Sequence, residues 1–373
     1  MALLADDQSV AQRVLDHIAN GTTDTGQRVW REPVENYRSP SRLQAELALF
    51  RRFPTPFCPA AALPERGSYL AREAAGTPIV AVRGSDGRVR AFRNACRHRG
   101  MLLADGAGCA KALTCRYHGW AYGLDGTLNH VPHERGFPGL DKNDHGLVPV
   151  RAEERNGLVY VTQDAPAIAD DSPSMLPALL DRGQQMFSAR VTELDANWKL
   201  LLEGFIEGYH IRSTHPESFL PYGFDNLNVI DVFGRCSRVT YPFQRIRKLA
   251  NVPPQQRRVD GLLTYAYQLF PNVMLIVLSR HTTMIVLDPI AVDRTRMHTW
   301  ALANDPGEEA LAEAKRDAAF VGDTGLEEDR AVVRAIQRGL SSGANAVFTY
   351  GLYESAIVHF HATLEAVLRE VPA

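Results

Sequence analysis

The sequence predicts an α+β chain in which a small all-β domain precedes a domain of mixed strands and helices. Three observations carry this expectation. Between residues 46 and 165 the chain reads as short β-branched runs separated by turn residues. Longer strand-like runs recur after residue 260, and charged, Ala/Leu-rich stretches at 307–340 and 354–370 read as helices. At 373 residues there is room for two cores.

In chain order, residues 1–45 form an N-terminal segment, helical where Val10, Val14, Leu15 and Ile18 recur at helical spacing and irregular after it. Residues 46–165 form the β domain. Within it 79–82 and 89–92 are strands joined by Ser85-Asp86-Gly87, Asp125-Gly126 marks another turn, and 158–161 is a further strand. Residues 166–180, with Pro166, Pro173 and Pro177, read as a linker. The second domain spans 181–373. It opens with helical spacing over 198–211 and continues with strands at 265–269, 273–278, 284–287 and 292–299.

Composition narrows the functional classes. A hydrophobic fraction of 45% with 23% charged residues is that of a globular chain, and a net charge of −2 leaves no basic footprint for nucleic acid. The longest apolar run, 273–278, is too short to span a bilayer, so no membrane association is expected. Asp6 and Asp7 do not fit the basic-then-apolar layout of a signal peptide. Five cysteines in such a length do not make a disulfide framework, and the expected location is a reducing cytoplasm. Cys58, Cys109 and Cys236 are expected to pack as small hydrophobes.

The other two cysteines sit in Cys96-Arg97-His98 and Cys115-Arg116-Tyr117-His118, both inside the β domain. Two thiolates and two imidazoles are the ligand set of a [2Fe–2S] cluster in which two His replace two Cys on one iron. A structural zinc is the competing occupant. Zinc knuckles favour Cys pairs and His pairs at short spacing, and neither occurs here.

A second constellation is Glu207, His210 and His215, followed by Pro216. On a helix Glu207 and His210 share a face. His210 and His215 would be splayed by about 140° on an unbroken helix. Pro216 disfavours helical geometry at His215, so the helix is expected to end there and let His215 turn toward His210. Two imidazoles and one carboxylate make the facial triad of non-haem Fe(II) oxygenases, with positions left for O₂ and substrate. The carboxylate must come from elsewhere, and Asp323, Glu327, Glu328 and Asp329 are candidates. Acids at a helix start are also explained by dipole complementation alone.

The two Cys/His pairs, each continued by glycine and the second by Gly119-Trp120, resemble the cluster signature of Rieske proteins. Asn197-Trp198-Lys199, Glu203, Glu207, Tyr209, His210, His215-Pro216, Phe270-Pro271-Asn272 and Glu328-Asp329 resemble the catalytic-domain signature of Rieske non-haem iron oxygenase α subunits, the aromatic-ring-hydroxylating oxygenase family. The resemblance spans roughly residues 45–370. It implies a helix-grip-like antiparallel sheet in the catalytic domain, and one [2Fe–2S] cluster on Cys96, His98, Cys115 and His118. It also implies one Fe(II) on His210, His215 and Asp329, with Glu328 the second choice. Glu207 falls at the bridging acid, which links the iron-bound His210 to the cluster-bound His118 of a neighbouring subunit. The implied partners are O₂, a small organic substrate and a separate NAD(P)H-dependent reductase, acting directly or through a ferredoxin. The implied assembly is a head-to-tail homotrimer. No G-x-G-x-x-G follows a strand, in keeping with an external electron source.

Two positions depart from the common pattern. Glu207 stands where many ring-hydroxylating dioxygenases have Asp, and Gly204 where Asn is frequent, so the inner pocket is expected to differ from the naphthalene type. Two other readings are a Rieske-type electron carrier without oxygenase activity, against which the second metal set argues, and a zinc-stabilised binding protein. Among oxygenases, cis-dihydroxylation, monohydroxylation and oxidative demethylation all remain open. A quaternary ammonium substrate would want an aromatic cage, for which Tyr209, Tyr222, Phe224, Tyr265 and Tyr267 are available.

Overall fold

The computed structural model describes residues 4–370, apart from the side chains of Asp323 and Thr324. Two compact units emerge. One comprises residues 50–169 and 178–183, the other residues 1–49, 170–177 and 184–373. The N-terminal segment 1–45 thus belongs to the same unit as the second domain, and the span 166–180 is divided between the two units.

The smaller unit is all β. Its seven-stranded antiparallel sheet runs in the order Thr55–Pro59, Leu158–Thr162, Pro149–Arg155, Val89–Arg93, Thr77–Arg83, Ser68–Ala74, Gly106–Cys109. The hairpin read from Ser85-Asp86-Gly87 is present, and Val80 stands opposite Phe92. A three-stranded sheet, Leu113–Thr114, Ala121–Tyr122 and Leu128–His130, flanks the second Cys/His pair. Val80, Val82, Phe92, Tyr122 and Leu128 form one buried core together with Cys96, Cys115 and Trp120. The two sulfurs are therefore attached to the core of the unit, which fixes their loops.

The larger unit is built on a second seven-stranded antiparallel sheet. Its order is Met186–Leu194, Arg294–Ala303, His281–Ala291, Val273–Val277, Leu263–Leu269, Cys236–Pro242, Val229–Phe233. The helices Glu308–Phe320 and Leu326–Gly339, joined by a π-type turn Val321–Gly325, pack with the strands and with helix Trp198–Glu203. The C-terminal helix Ser355–Glu370 packs against Cys236–Pro242 and Val229–Phe233. Trp30–Pro33 pairs with Val347–Tyr350.

Three expectations change. The run 198–211 is not one helix: it stops at Glu203, and only Ile211–Thr214 is helical again. Gly204 and Gly208 weaken the helix, and the Glu207 carboxylate takes the amide protons of Tyr209 and His210, which an unbroken helix would need for itself. The strands Met186–Leu194, Val229–Phe233 and Cys236–Pro242 had no counterpart in the sequence reading. Cys58 and Cys236 are buried as expected, whereas Cys109 is exposed on the edge strand Gly106–Cys109. Among the described residues no helix is long and apolar enough to cross a membrane.

Candidate active site and cluster site

Helix Trp198–Glu203 is the anchor of the larger unit's site. Asn197 caps it, its side chain accepting the Lys199 amide at 3.0 Å. Its base is held by Glu46, which accepts from Trp198 Nε1 at 2.8 Å and from Lys199 Nζ at 2.8 Å. All six helix residues are buried, so the chain leaves Glu203 at a defined place and direction.

The segment that follows carries Glu207, His210 and His215. His210 Nδ1 hydrogen-bonds Glu207 Oε1. The other Glu207 oxygen accepts the Tyr209 and His210 amides, at 2.5 and 3.1 Å, so the carboxylate cannot rotate away. His215 ends the short helix Ile211–Thr214 in non-helical geometry, φ −118° and ψ 45°, as Pro216 requires. Its ring is 1% exposed.

The third element is the first turn of Leu326–Gly339, where the run Glu327-Glu328-Asp329 divides into three tasks. Glu327 turns outward to Arg330. Glu328 Oε2 lies 2.7 Å from His215 Nδ1 and accepts the Ser218 hydroxyl at 2.5 Å. Asp329 Oδ1 lies 2.8 Å from His215 Nε2 and 3.5 Å from His210 Nε2. Of the four acids considered as third ligand, the Asp323 side chain lies outside the described residues.

Among the described residues, His210, His215 and Asp329 are the set whose ligand atoms lie within 4.8 Å of one another. Each ring presents Nε2 to Asp329 while its Nδ1 is engaged by a separate carboxylate, Glu207 or Glu328. That arrangement orients a metal-binding imidazole and fixes its tautomer. Burial works to lower both imidazole pKa values, but the carboxylates outweigh it and the net direction is upward for each. Glu328 is held below the usual carboxylate range, first by the Ser218 hydroxyl and then by His215. The residues fit a divalent ion of the facial-triad type.

In the smaller unit, two loops of the same design present the Cys/His pairs. The Cys96 amide donates to Met101 O and Gly100 N to Cys96 O, both at 2.8 Å. The Cys115 amide donates to Trp120 O at 2.8 Å and Gly119 N to Cys115 O at 2.9 Å. Gly100 and Gly119 have φ of +77° and +74°, the left-handed turn that makes each loop reverse. Both cysteines are 3% exposed, and the His98 and His118 rings lie side by side, 4.7 Å between centroids. His98 stacks on Trp120 at 4.9 Å, and Tyr117 on His118 at 3.7 Å. Partial burial, then the His118 and Arg99 charges, hold the His98 pKa below its ordinary value.

The four ligand atoms are not drawn within 4.8 Å of one another as a set. A single tetrahedral zinc would require ligand atoms roughly 3.5 Å apart. Paired sulfurs and paired rings suit a two-iron cluster instead. One residue missed by sequence reasoning adds to this. Tyr122 OH accepts the Arg97 amide at 2.9 Å and lies 3.3 Å from Cys96 Sγ, so its proton is available to the sulfur when Cys96 is a thiolate. Ser218 was also missed, although it stands three residues after His215, the spacing of one turn.

Two cavities meet at the triad. One, of ≈ 580 Å³, has aromatic walls that include Phe205, Phe219, Tyr222 and Phe224. The other, of ≈ 1020 Å³, runs under Phe187, Thr192 and Thr299 toward Glu203 and Glu354. Both are lined by Gly204, Glu207, His210 and Asp329. A Cβ at Gly204 would meet only Leu201 O, at 3.9 Å, so the cavity wall is open there. Of the proposed cage residues, Tyr222 and Phe224 line the aromatic cavity. Tyr209 is exposed, and Tyr265 and Tyr267 are buried under the Arg238 guanidinium, 4.6 and 5.7 Å away.

Comparison with known proteins matches both units of the chain. Residues 184–370 match the family model for the ring hydroxylating alpha subunit (catalytic domain), and residues 53–143 that for the Rieske [2Fe–2S] domain. The chain is 29% identical over 326 residues to the carnitine monooxygenase oxygenase subunit of Escherichia coli strain K12, covering 83% of this chain and 85% of that protein. It superposes with TM-score 0.76 and 20% identity on a quaternary ammonium Rieske monooxygenase studied for carnitine oxidation and inter-subunit electron transfer, covering 98% of this chain and 100% of that one. Naphthalene 1,2-dioxygenase from Rhodococcus sp. superposes with TM-score 0.77 at 20% identity, covering 98% and 99%.

Proposed function

Because this chain belongs to the family of Rieske ring-hydroxylating oxygenase α subunits, we propose that His210, His215 and Asp329 hold its mononuclear iron. Cys96, His98, Cys115 and His118 hold its [2Fe–2S] cluster. The chain is the oxygenase component of a multicomponent system, which takes electrons from a separate donor and uses O₂ to oxidise a small organic substrate. The reading of an electron carrier without oxygenase activity does not fit the family. When bound, the cluster supplies single electrons, and the mononuclear iron supplies O₂ activation beside the substrate.

The protein's own contribution is orientation and proton control. Glu207 and Glu328 hold the Nδ1 protons of His210 and His215, leaving both Nε2 lone pairs directed at the same point. The aromatic wall excludes water from one side of that point. Glu207 is the residue through which His118 of a neighbouring copy reaches His210 in a head-to-tail homotrimer. Its pinned carboxylate supports that role, since a bridge must not change length. The electron donor in this reading is an NAD(P)H-dependent reductase, acting directly or through a ferredoxin. Free thiols at Cys58, Cys109 and Cys236 fit a cytoplasmic location.

For chemistry, monooxygenation or demethylation is favoured by Glu207 at the bridging position and by the carnitine-acting relative. The observation that carries the site reading is the convergence of two Nε2 atoms and one carboxylate, each ring backed by its own acid. The test is iron per chain: about three in the wild type, two from the cluster and one from the triad, and two in His210→Ala with the cluster's visible spectrum intact. Loss of both centres together in that variant overturns the two-site reading.

A further inference from the structure

The aromatic cavity beside the triad is lined by an exposed arginine, Arg245, with which no carboxylate pairs among the described residues. Around its wall, Gln244 Nε2 donates to Gly223 O at 2.6 Å, and the Tyr241 hydroxyl to Phe205 O at 3.0 Å. Asp317 accepts from His281 Nδ1 at 3.0 Å and from the Arg280 amide at 3.3 Å. Arg245 differs. Its guanidinium lies over the Phe243 ring, with Cζ 5.0 Å from the centroid, and Nη2 reaches only Ser279 Oγ at 3.4 Å. Among the described residues no carboxylate pairs with it. Arg247 adds a second guanidinium on the same segment, over Phe224 at 5.0 Å. The nearby acid Asp225 is taken by Arg212 at 2.7 Å.

The segment is firmly seated. Gln244 N donates to Tyr222 O at 2.7 Å, Ile246 N to Phe243 O at 2.9 Å, and Ile246 and Leu249 are buried. Arg245 is therefore a planar, always-charged fork standing at an aromatic cavity that leads to the triad. That chemistry recognises a carboxylate.

We propose that Arg245 binds a carboxylate of the substrate, with the rest of the molecule held between the aromatic walls and facing the triad. This rests on the reading of His210, His215 and Asp329 as the iron site. Two bodies suit such walls, an aryl ring and a trimethylammonium group. Both carry the shared carboxylate when the probe is benzoate or glycine betaine.

The test is calorimetric titration of oxygen-free, iron-loaded holoenzyme with two matched pairs: benzoate against benzamide, and glycine betaine against betaine amide. At least one carboxylate binds about tenfold more tightly than its amide, the effect of one hydrogen bond to a charged group. Which pair shows the preference identifies the body. Arg245→Gln abolishes the preference, Arg245→Lys restores part of it, and Arg190→Gln, in the other cavity, leaves it unchanged. Equal affinities within both pairs overturn the proposal, as does a preference that survives Arg245→Gln. The cluster's visible absorbance on the same samples reports folding, and the iron count separates the two readings. Iron-loaded protein without a preference sinks only the Arg245 assignment. A preference in protein unable to hold the third iron sinks only the triad reading.

Discussion

Glu328 and Asp329 grip opposite edges of one imidazole: Glu328 Oε2 lies 2.7 Å from His215 Nδ1, and Asp329 Oδ1 2.8 Å from Nε2. Adjacent residues at a helix start, chemically alike, thus take different roles by direction alone. Glu328→Ala is expected to weaken iron retention about 10- to 100-fold, as loss of an outer partner does, while the site still fills at excess Fe(II). Asp329→Ala is expected not to fill. Chelator competition followed by iron assay distinguishes the two, and identical behaviour of both variants refutes the division of roles.

Glu207 is pinned by two backbone amides and by His210. Glu207→Ala is expected to retain about three irons per chain while cluster oxidation is uncoupled from product formation. Single-turnover experiments on the pre-reduced protein measure this directly, and normal turnover in the variant rules out the bridging role.

The Tyr122 hydroxyl accepts the Arg97 amide and lies 3.3 Å from Cys96 Sγ, to which it would donate when Cys96 is a thiolate ligand of the cluster. A donor on a cluster sulfur favours the more negative, reduced state. Tyr122→Phe is expected to lower the cluster potential by roughly 40 mV, the equivalent of about 1 kcal/mol for one electron. Protein-film voltammetry reads the shift. An unchanged potential with an unchanged cluster spectrum contradicts the assignment.

Burial pushes the Cys58 and Cys236 thiols up to about 12, whereas Cys109 is exposed. A maleimide at pH 8 is therefore expected to label Cys109 alone in the folded, cluster-loaded protein, located by peptide mass mapping. The sign of the linkage follows from the raised folded-state values. The neutral thiols stabilise the fold fully below the ordinary thiol value of 9.0, and this contribution is lost as pH rises toward 12. Melting temperature is expected to fall over that window, and less steeply in Cys58→Ala.

The groupings of residues proposed for the metals were readable wherever they are local. Each Cys/His pair sits on one tight loop whose glycine declares the turn, and Pro216 declares the break at His215. The roles of Glu328 and Tyr122 were not readable, because each depends on an element arriving from elsewhere in the fold. The expected helix over 198–211 failed for a related reason: a periodic apolar pattern cannot reveal that the Glu207 carboxylate claims the amides of Tyr209 and His210. Cys109 was expected inside on residue type alone, and only the sheet order shows that its strand lies at an edge. Spacing alone did not choose among the acids before Gln337; the structure turns one of them, Glu327, away to Arg330.

The pairing of Trp30 with Tyr350 sets the order in which this chain can be assembled. Tyr37 joins the same bond network, hydrogen-bonding Glu203 at 2.7 Å and Tyr350 at 2.9 Å. During synthesis the N-terminal strand emerges long before its partner exists, whereas every strand of the β unit lies between residues 55 and 162. The β unit can close while the ribosome is still working, and the iron-binding unit must wait for almost the whole chain. Nascent chains stalled near residue 340 should therefore hold a protease-resistant β unit and a still-cleavable N-terminal segment.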